Sequence, residues 1–317
     1  MISFKKANMD VIGVGISTLD FLLRVPSLEK VTEGCRLIDF DKQGGGVVAT
    51  AMVTLSRLGA KTGIITAVGN DEYGVEIIEG LKKEGVDTSH VKVLKNHRSI
   101  TVFVLVDGKT GERRFLPLRQ IEDLELNEDD LRYIRSAKIL HTDLAFPNAS
   151  LKALKEAKHS NVLTSLDLGW WTIEVEEVFE DLIGYVDIFI PTKEVALKIT
   201  NANNPLDAAK ILLEMGPKVV GITMGSEGSL CITKDKIIIK EAFKVAVVDT
   251  TGAGDVYHGA FLYGLLKKWR LEDVVCFANA VAAMKCMKLG GRAGIPNLDM
   301  VEKFLKEKGY NICGLLK

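Results

Sequence analysis

Short apolar segments alternate with amphipathic helical patterns through most of the chain. Continuous apolar runs at 11–15, 62–68 and 219–223 are typical of buried strands. Helical patterns at 46–58 and 71–84 follow the first two runs. This alternation is typical of a mostly parallel sheet with helices on both faces. It predicts an α/β protein with three layers, α/β/α.

The rest of the chain continues the same pattern. Further strands are expected at 139–141, 162–167 and 188–190, with a helix at 148–158 among them. Residues 243–248 are rich in β-branched and aromatic residues and are also expected to be extended. The last third is predicted to be largely helical, with helices at 253–267, 271–287 and 298–308.

Two segments interrupt the alternation, at 17–42 and at about 98–120. They contain β-type runs without helices between them, so they are expected to form a small separate sheet beside the main one. Such a sheet has edges that need cover, which suits a lid over a ligand site or a dimer-forming surface. Because no Pro- or Ser-rich linker appears, we expect one domain, 1–317, with this lid inserted.

The composition limits the classes of partner. A net charge of −1 lacks the basic excess of a nucleic-acid surface, so no nucleic-acid partner is expected. The five cysteines are scattered and form no Cys-x-x-Cys pair, which fits a reducing compartment better than disulfides or zinc. No apolar run reaches the ~18 residues that span a bilayer, and the first residues lack a signal-peptide pattern. We therefore expect a cytoplasmic enzyme with no membrane partner.

Residues 249–255, with the sequence DTTGAGD, carry the strongest functional signal. They lead into a long apolar helix, and the glycines at 252 and 254 let backbone N–H groups converge on one point. Such amides at a helix N-terminus form an anion site. Asp255 beside them is suited to take a proton from a hydroxyl while the amides hold a transferring phosphoryl group. The structural alternative is a tight turn in which Asp255 merely complements the helix dipole.

Other polar and glycine-rich stretches follow predicted strands. Three glycines at 44–46 allow close approach of the backbone to a ligand, and Thr50 lies one turn further on. Residues 221–230, GITMGSEGSL, permit the chain to lie against a planar base while Thr223 reaches a phosphate, although two-glycine hairpins are common. Asp20 follows the first strand by five residues, where α/β proteins bind ligands. Its alternative is a solvated loop residue.

Weaker patterns leave other interpretations open. Residues 13–18 resemble a dinucleotide-binding fingerprint, but the third glycine is missing and no helix follows directly. An NAD-dependent dehydrogenase is therefore the weaker interpretation. A non-catalytic sugar-binding regulator is another alternative, but such a protein would not need Asp255, so the presence of this residue argues against it. Arginines of the lid segments could receive an anionic substituent of a sugar or could form a solvated face; these are Arg36, Arg98, Arg113 and Arg114.

With the Gly-Ala-Gly-Asp turn, the three-glycine helix start and Asp20, the chain resembles ribokinase-like sugar kinases of the phosphofructokinase-B family. The resemblance extends over roughly residues 10–307. It implies an α/β/α domain with a β lid, frequently dimerised through that lid. It also implies transfer of the γ-phosphoryl group of ATP to a sugar hydroxyl, usually a terminal CH₂OH.

By matching position, the resemblance implies a role for each of several residues. The general base is Asp255, and the amides around the phosphoryl group are those of Gly252, Ala253 and Gly254. The sugar is lined by Asp20, Gly44, Gly45 and Thr50, with Arg113 from the lid. ATP is met by Thr223, Gly225, Gly228 and Asn279, and a potassium-type cation is bordered by Asp249 and Thr251.

Departures from the family pattern bear on the substrate and the metal. Thr50 replaces the usual Asn. The Asn-x-x-Glu motif associated with Mg²⁺ corresponds to residues 191–194, which keep only its glutamate, Glu194. Mg²⁺ is therefore expected to be held through water or by the phosphates. The usual Asp-x-Asn becomes 167–169, Asp-Leu-Gly. Residues 290–296 resemble the sulfofructose kinase branch, which implies a ketose or related sugar. Ribose, a nucleoside or a phosphorylated sugar remain alternatives.

Overall fold

The computed structural model describes residues 4–31, 34–169 and 173–310, with only the backbone described for 173–177. Its main sheet has nine strands: β1 (Met9–Val14), β4 (Thr62–Gly69), β5 (Asp87–Leu94), β8 (Ala137–Thr142), β9 (Leu163–Leu166), β10 (Ile188–Phe189), β11 (Val219–Thr223), β12 (Ser229–Thr233) and β13 (Lys236–Lys240). Their spatial order is β13-β12-β11-β10-β9-β8-β1-β4-β5. Every pairing from β5 to β11 is parallel, whereas β12 and β13 are antiparallel.

The central parallel strands are buried on both faces, which explains why their sequences are continuously apolar. Successive side chains of a strand point to opposite faces, so each strand feeds two cores. Val11 of β1 packs into one core and Ile12 into the other. Ile139 and Leu140 divide β8 between the same two cores.

Helices cover both faces of the sheet, as predicted. One core is closed by α1 (Val47–Arg57), α2 (Glu72–Lys83), α8 (Ala253–Leu266), α9 (Leu271–Lys285) and α10 (Leu298–Glu307). The other face carries α3 (Glu128–Arg135), α4 (Pro147–His159), α5 (Ile173–Ile183), α6 (Lys193–Thr200) and α7 (Pro205–Glu214). Within the described residues, no helix combines the length and apolar character needed to cross a bilayer.

Four strands outside the main sheet form a second sheet, the small sheet. They are β2 (Thr18–Val25), β3 (Asp39–Gly45), β6 (Thr101–Asp107) and β7 (Arg113–Leu118), in the order β3-β2-β6-β7. The outer pairs are antiparallel and the β2–β6 pair is parallel. The inner face packs Leu22 and Val104 against Leu289 of the main domain. On the outer face, the rings of Phe21 and Phe103 stack with centroids 5.2 Å apart. The predicted small sheet is therefore present.

The expectation of an extended strand at 243–248 was wrong. Residues 241–248 form no strand, because β13 already occupies that edge of the sheet and the chain leaves it to meet the end of α9, where Val248 N–H donates to the Cys286 oxygen at 2.8 Å. Strand β5 was missed because it is an edge strand. Its polar residues, such as Ser89 and Lys92, give it no continuous apolar run.

Candidate active site

The candidate site lies at the edge of the main sheet where the parallel strands end at their carboxyl termini. Strand β8 is followed by Asp143 and β9 by Asp167, two buried carboxylates. Asp143 accepts hydrogen bonds from the backbone N–H groups of Ile16 (3.0 Å) and Ala145 (2.9 Å). Asp167 accepts one from the N–H of Gly169 (2.8 Å). These bonds fix both carboxylates at the floor of the site.

Asp255 lies in the first turn of α8, which begins directly after a left-handed Gly252. Gly252 has φ 72°, a left-handed conformation that favours glycine, and a Cβ there would lie 3.1 Å from Cα of Gly291. The N–H of Ala253 donates to the Thr250 carbonyl oxygen at 3.2 Å and is therefore engaged in the turn. N–H groups in a first helical turn have no intrahelical partner, so that of Gly254 can face an anion.

The carboxylates of the site influence one another. Burial, together with the negative charges of Asp167 and Asp20, holds the pKa of Asp255 well above its usual range, and Lys285 opposes this effect. Burial raises the pKa of Asp20 and of Asp143, each to about 6. A carboxylate with a raised pKa is a stronger base near neutral pH. Asp255 is therefore suited to accept a proton from a hydroxyl.

Arg292 supplies positive charge to this acidic site. Its side chain is buried, its Nη2 donates to the carbonyl oxygen of Gly45 (2.5 Å), and its Nε lies 3.4 Å from Oγ1 of Thr50. Burial lowers the pKa of the guanidinium to about 10, while the negative charges of Asp20 and Asp255 oppose this effect. The group therefore stays charged at neutral pH. Its Nη1 makes no hydrogen bond to any residue that the structure describes.

The expected sugar-binding residues come together around this guanidinium. A Cβ on Gly44 would lie 2.2 Å from Nη1 of Arg292, and one on Gly45 would lie 2.0 Å from Oδ2 of Asp20. A side chain at either position would clash with these groups, which explains why both residues are glycine. Asp20 is on β2 of the small sheet and not at the end of a main-sheet strand, and Thr50 is buried in α1. The structure thus groups Asp20, Gly44, Gly45 and Thr50 as expected.

The residues expected to border a potassium-type cation are hydrogen-bonded to neighbouring groups. Asp249 is fully buried, and its Oδ1 accepts from the N–H (2.8 Å) and the hydroxyl (2.7 Å) of Thr251. Its Oδ2 accepts from the N–H of Gly290 (2.7 Å). Its carbonyl oxygen accepts from Nζ of Lys285 (2.9 Å). The oxygens of Asp249 already have donors, and the cation role of Asp249 and Thr251 stays a prediction.

The residues expected to meet ATP lie at the end of β11 and just beyond it. Thr223 is half-buried at that strand end, Gly225 is exposed, and Gly228 is buried in the turn before β12. The amide of Asn279 donates to the carbonyl oxygens of residues 240 and 241, both at 3.2 Å, and accepts from the Ser229 hydroxyl at 3.0 Å. Asn279 therefore braces this loop, and its contact with ATP stays a prediction.

Glu194 is positioned beside the residues expected to meet ATP. It lies exposed in the first turn of α6, whose N-cap Thr192 forms a parallel bridge with Thr223. It forms no ion pair within the described part of the chain. Mg²⁺ prefers oxygen ligands and keeps several waters, so an exposed, uncommitted carboxylate fits a water-mediated contact.

Of the four lid arginines singled out above, only Arg113 is partly buried. Its guanidinium lies 5.6 Å from the ring centroid of Phe115, and its charge adds to the effect of burial, which lowers the pKa of Lys285. The other three are exposed: Arg36, Arg98 and Arg114. The buried cation among the expected sugar-binding residues is instead Arg292, which no sequence motif marks as a ligand.

Two buried histidines lie beneath the carboxylates. Nε2 of His258 is 2.9 Å from the Ile190 carbonyl oxygen and 3.3 Å from Oδ2 of Asp167. Nδ1 of His141 is 3.1 Å from the Ser165 hydroxyl, and burial lowers the pKa of His141, which keeps it neutral. His258 therefore positions Asp167 from below.

Several site residues were missed from the sequence. Asp143 directly follows a predicted strand, the same signal that drew attention to Asp20, and Asp167 appeared only as a departure from a motif. Lys285 is a charge on the buried face of an apolar helix, which is an available signal. Arg292 gave no such signal, because its position depends on a loop that returns to the small sheet.

The fold and the site together define a class of protein. A parallel sheet, a small sheet against its carboxyl edge and an aspartate beside helix amides are the parts of a ribokinase-like carbohydrate kinase. The model of the pfkB family of carbohydrate kinases matches residues 9–298, and the chain belongs to this family.

Comparison with individual proteins adds detail. The 5-dehydro-2-deoxygluconokinase of Clostridium beijerinckii is 32% identical over 332 residues, which cover 97% of this chain and 96% of that protein. The crystal structure of Thermotoga maritima ribokinase is 28% identical with a TM-score of 0.80, covering 94% and 99%. An Escherichia coli structure in complex with ATP and Mg²⁺ is 22% identical with a TM-score of 0.81, covering 94% and 99%, and shares the fold.

Proposed function

We propose that this carbohydrate kinase transfers the γ-phosphoryl group of ATP to the terminal hydroxymethyl group of 5-dehydro-2-deoxygluconate. The substrate class follows from the name of the Clostridium beijerinckii relative. Its ketone lies next to the terminal CH₂OH, so the molecule is the acid counterpart of the fructose-type ketose expected from the sequence. Its carboxylate is what sets it apart from fructose and ribose.

The observation that carries this proposal is the buried guanidinium of Arg292. An anionic sugar entering among Asp20, Asp143 and Asp255 would be repelled unless a cation faced it. Nη1 of Arg292 is uncommitted beside Gly44, and an arginine N–H edge is well suited to bind a carboxylate. Arg292 thus supports an acid as substrate, while Asp20 and Thr50 are placed to bind hydroxyl groups.

The chemical step follows from the position of Asp255. Its carboxylate takes the proton of the sugar hydroxyl, and the oxygen forms a bond to the γ-phosphorus as the bond to the β–γ bridging oxygen breaks. ADP leaves with the electron pair of that bond. The amides of Gly252 and Gly254, at the positive end of α8, offset charge on the transferring group.

ATP is proposed to lie along the ends of β10 and β11. Thr223, Gly225 and Gly228 border this surface, and Glu194 would hold Mg²⁺ through water. When bound, Mg²⁺ offsets phosphate charge. We also propose that the chain is one domain whose small sheet acts as the lid, with Arg113 on its inner side, and that it works in the cytoplasm, where ATP is abundant.

The test is ADP release by the wild-type enzyme with 5-dehydro-2-deoxygluconate, fructose, ribose, a nucleoside and fructose 6-phosphate. We expect the kcat/KM of the acid to exceed that of every other compound by about tenfold or more, the scale of one charge-assisted contact. A higher kcat/KM for fructose, ribose or the nucleoside would overturn the acid as substrate. Absence of ADP release with any sugar would favour the sugar-binding regulator.

A further inference from the structure

Lys285 is a fully buried ammonium in a position where the resemblance led us to expect a bound cation. It ends helix α9, and its side chain is 0% exposed. Its Nζ lies 2.9 Å from the carbonyl oxygen of Asp249, in the loop that leads into α8. A lysine is almost never fully buried without a partner for its charge, so this burial calls for an electrostatic reason.

The charged surroundings of Lys285 supply that reason. Burial lowers the pKa of Lys285 and Arg113 adds to this effect, whereas the carboxylates of Asp249 and Asp255 and the Cys286 thiol oppose it. In turn, Lys285 lowers the pKa of Asp255 against the effect of the other carboxylates. The ammonium therefore lies within electrostatic reach of the proposed base and of the loop that opens the anion site.

The oxygens of Asp249 in this loop already have hydrogen-bond donors. Both carboxylate oxygens of Asp249 accept hydrogen bonds from Thr251 and Gly290, and its carbonyl oxygen accepts from Lys285. An ammonium and K⁺ both carry one positive charge and both bind carbonyl oxygens. We propose that Lys285 is a built-in monovalent cation, so that this kinase needs no K⁺ to order residues 249–252 or to balance the charge of Asp255.

The first test uses the unmodified enzyme. Turnover is measured with 5-dehydro-2-deoxygluconate, or with whichever sugar of the panel is phosphorylated, in KCl, NaCl and choline chloride at equal ionic strength. We expect kcat to agree within about twofold in the three salts, because the charge is covalently supplied. A kcat that is about tenfold higher in KCl than in choline chloride would overturn the proposal. The outcome does not depend on which sugar is the substrate.

The second test removes the ammonium and asks whether K⁺ can replace it. Lys285→Ala removes the ammonium and leaves space, so in choline chloride we expect kcat to fall by about tenfold or more. Loss of the positive charge should also move the acid limb of the kcat/KM profile to higher pH, since Asp255 then holds its proton more tightly. KCl or butylammonium chloride should restore part of kcat and return the limb. Lys288→Ala, an exposed lysine of the following loop, is the matched control.

A measurement without turnover separates charge from packing. We expect KCl to raise the Tm of Lys285→Ala above its value in choline chloride, while leaving the Tm of the wild type and of Lys288→Ala unchanged. A folded Lys285→Ala protein whose kcat matches the wild type in choline chloride would overturn the proposal. So would a folded variant that neither K⁺ nor butylammonium improves. If the variant does not fold, the salt comparison on the wild type decides.

Discussion

Asp255 combines a raised pKa with a position beside helix amides, and this combination predicts a specific pH dependence. The carboxylate must be ionised to accept a proton, so kcat/KM should fall as the pH decreases through its raised pKa. Asp255→Asn should lower kcat by about 10²-fold or more while the KM values change little. Steady-state kinetics between pH 5 and 9 would measure both effects. A near-normal kcat for the variant would exclude Asp255 as the base.

Arg292 can be tested by its effect on selectivity. Arg292→Met should raise the KM for 5-dehydro-2-deoxygluconate by about tenfold or more, with a much smaller effect on fructose, because only the acid loses a charge-assisted contact. The KM of Arg292→Lys for the acid should lie between those of the wild type and Arg292→Met, since lysine keeps the charge and lacks the planar guanidinium. Arg114→Met, in the exposed part of the small sheet, is the control. An equal rise for acid and fructose would assign Arg292 a structural role.

Asp20 illustrates a cost of assembling acidic groups in one site. Its pKa is about 6 in the folded protein against an ordinary 3.8, so the folded state binds its proton more tightly. The stability that this protonation adds is present below about 3.8 and is lost as the pH rises through about 6. At pH 7.5, Asp20→Asn should therefore raise the free energy of unfolding by about 1–2 kcal/mol.

Urea unfolding at two pH values checks this prediction for Asp20. The gain should nearly vanish at pH 4, where wild-type Asp20 is itself largely protonated, and sugar binding should weaken at pH 7.5. Asp235→Asn, on the exposed turn between β12 and β13, serves as control. A gain of equal size at both pH values would point to a cause other than ionisation.

The sequence could identify individual site residues only where a local motif marks them. Gly252 and Asp255 are adjacent in a turn whose geometry depends on neighbouring residues, so their arrangement could be predicted. Lys285 and Arg292 act on residues 36 and 247 positions away in the chain. Their contacts depend on how α9 and the loop after it return to the sheet, and no local pattern encodes that path.

At the level of elements, Gln43 of β3 links the small sheet to the loop that carries Arg292. Its Oε1 accepts from the N–H groups of Arg292 (2.8 Å) and Ala293 (3.1 Å), and its Nε2 donates to the Leu289 oxygen (3.3 Å). Gln43→Ala should raise the KM for the sugar by about threefold to tenfold. The N–H groups of Arg292 and Ala293 lose their acceptor, and the small sheet is then held less firmly.

Hydrogen exchange gives a direct measure of this link. Saturating sugar should slow amide exchange in β2, β3, β6 and β7 of the wild type, and Gln43→Ala should weaken that protection. Gln120→Ala, an exposed residue beyond β7, should behave as the wild type. Unchanged exchange on adding sugar would contradict the role of the small sheet as a lid.

The strands and helices of the main domain were largely predictable because burial on both faces leaves continuous apolar runs. The exceptions are instructive. Strand β5 lies at an edge and carries polar residues, whereas residues 243–248 have strand-like composition but no free sheet edge to join. Local composition reports the preference of a segment, and the available partners decide whether it pairs.

At the scale of the whole molecule, the outer face of the small sheet is unusually apolar. Phe103 pairs in register with Phe21 and Leu116, so all three point to the same side. Phe103 is 39% exposed, Leu116 54% and Phe40, on β3, 53%. A contiguous apolar surface of this kind is typical of a protein–protein interface. We expect two copies to pair through it, since self-complementary two-fold contacts are the commonest in oligomers.

Replacing apolar residues of this face by charged ones should separate such a dimer. Phe103→Glu combined with Leu116→Glu should raise the dimer dissociation constant by about 100-fold or more, since two adjacent like charges would be buried without a partner at the centre of the contact. Sedimentation velocity over a concentration series would measure it. Ile239→Glu, an equally exposed apolar residue on β13, should leave the dimer intact. A wild-type protein that sediments as a monomer at all concentrations would refute pairing through the small sheet, and its outer face would then need another partner.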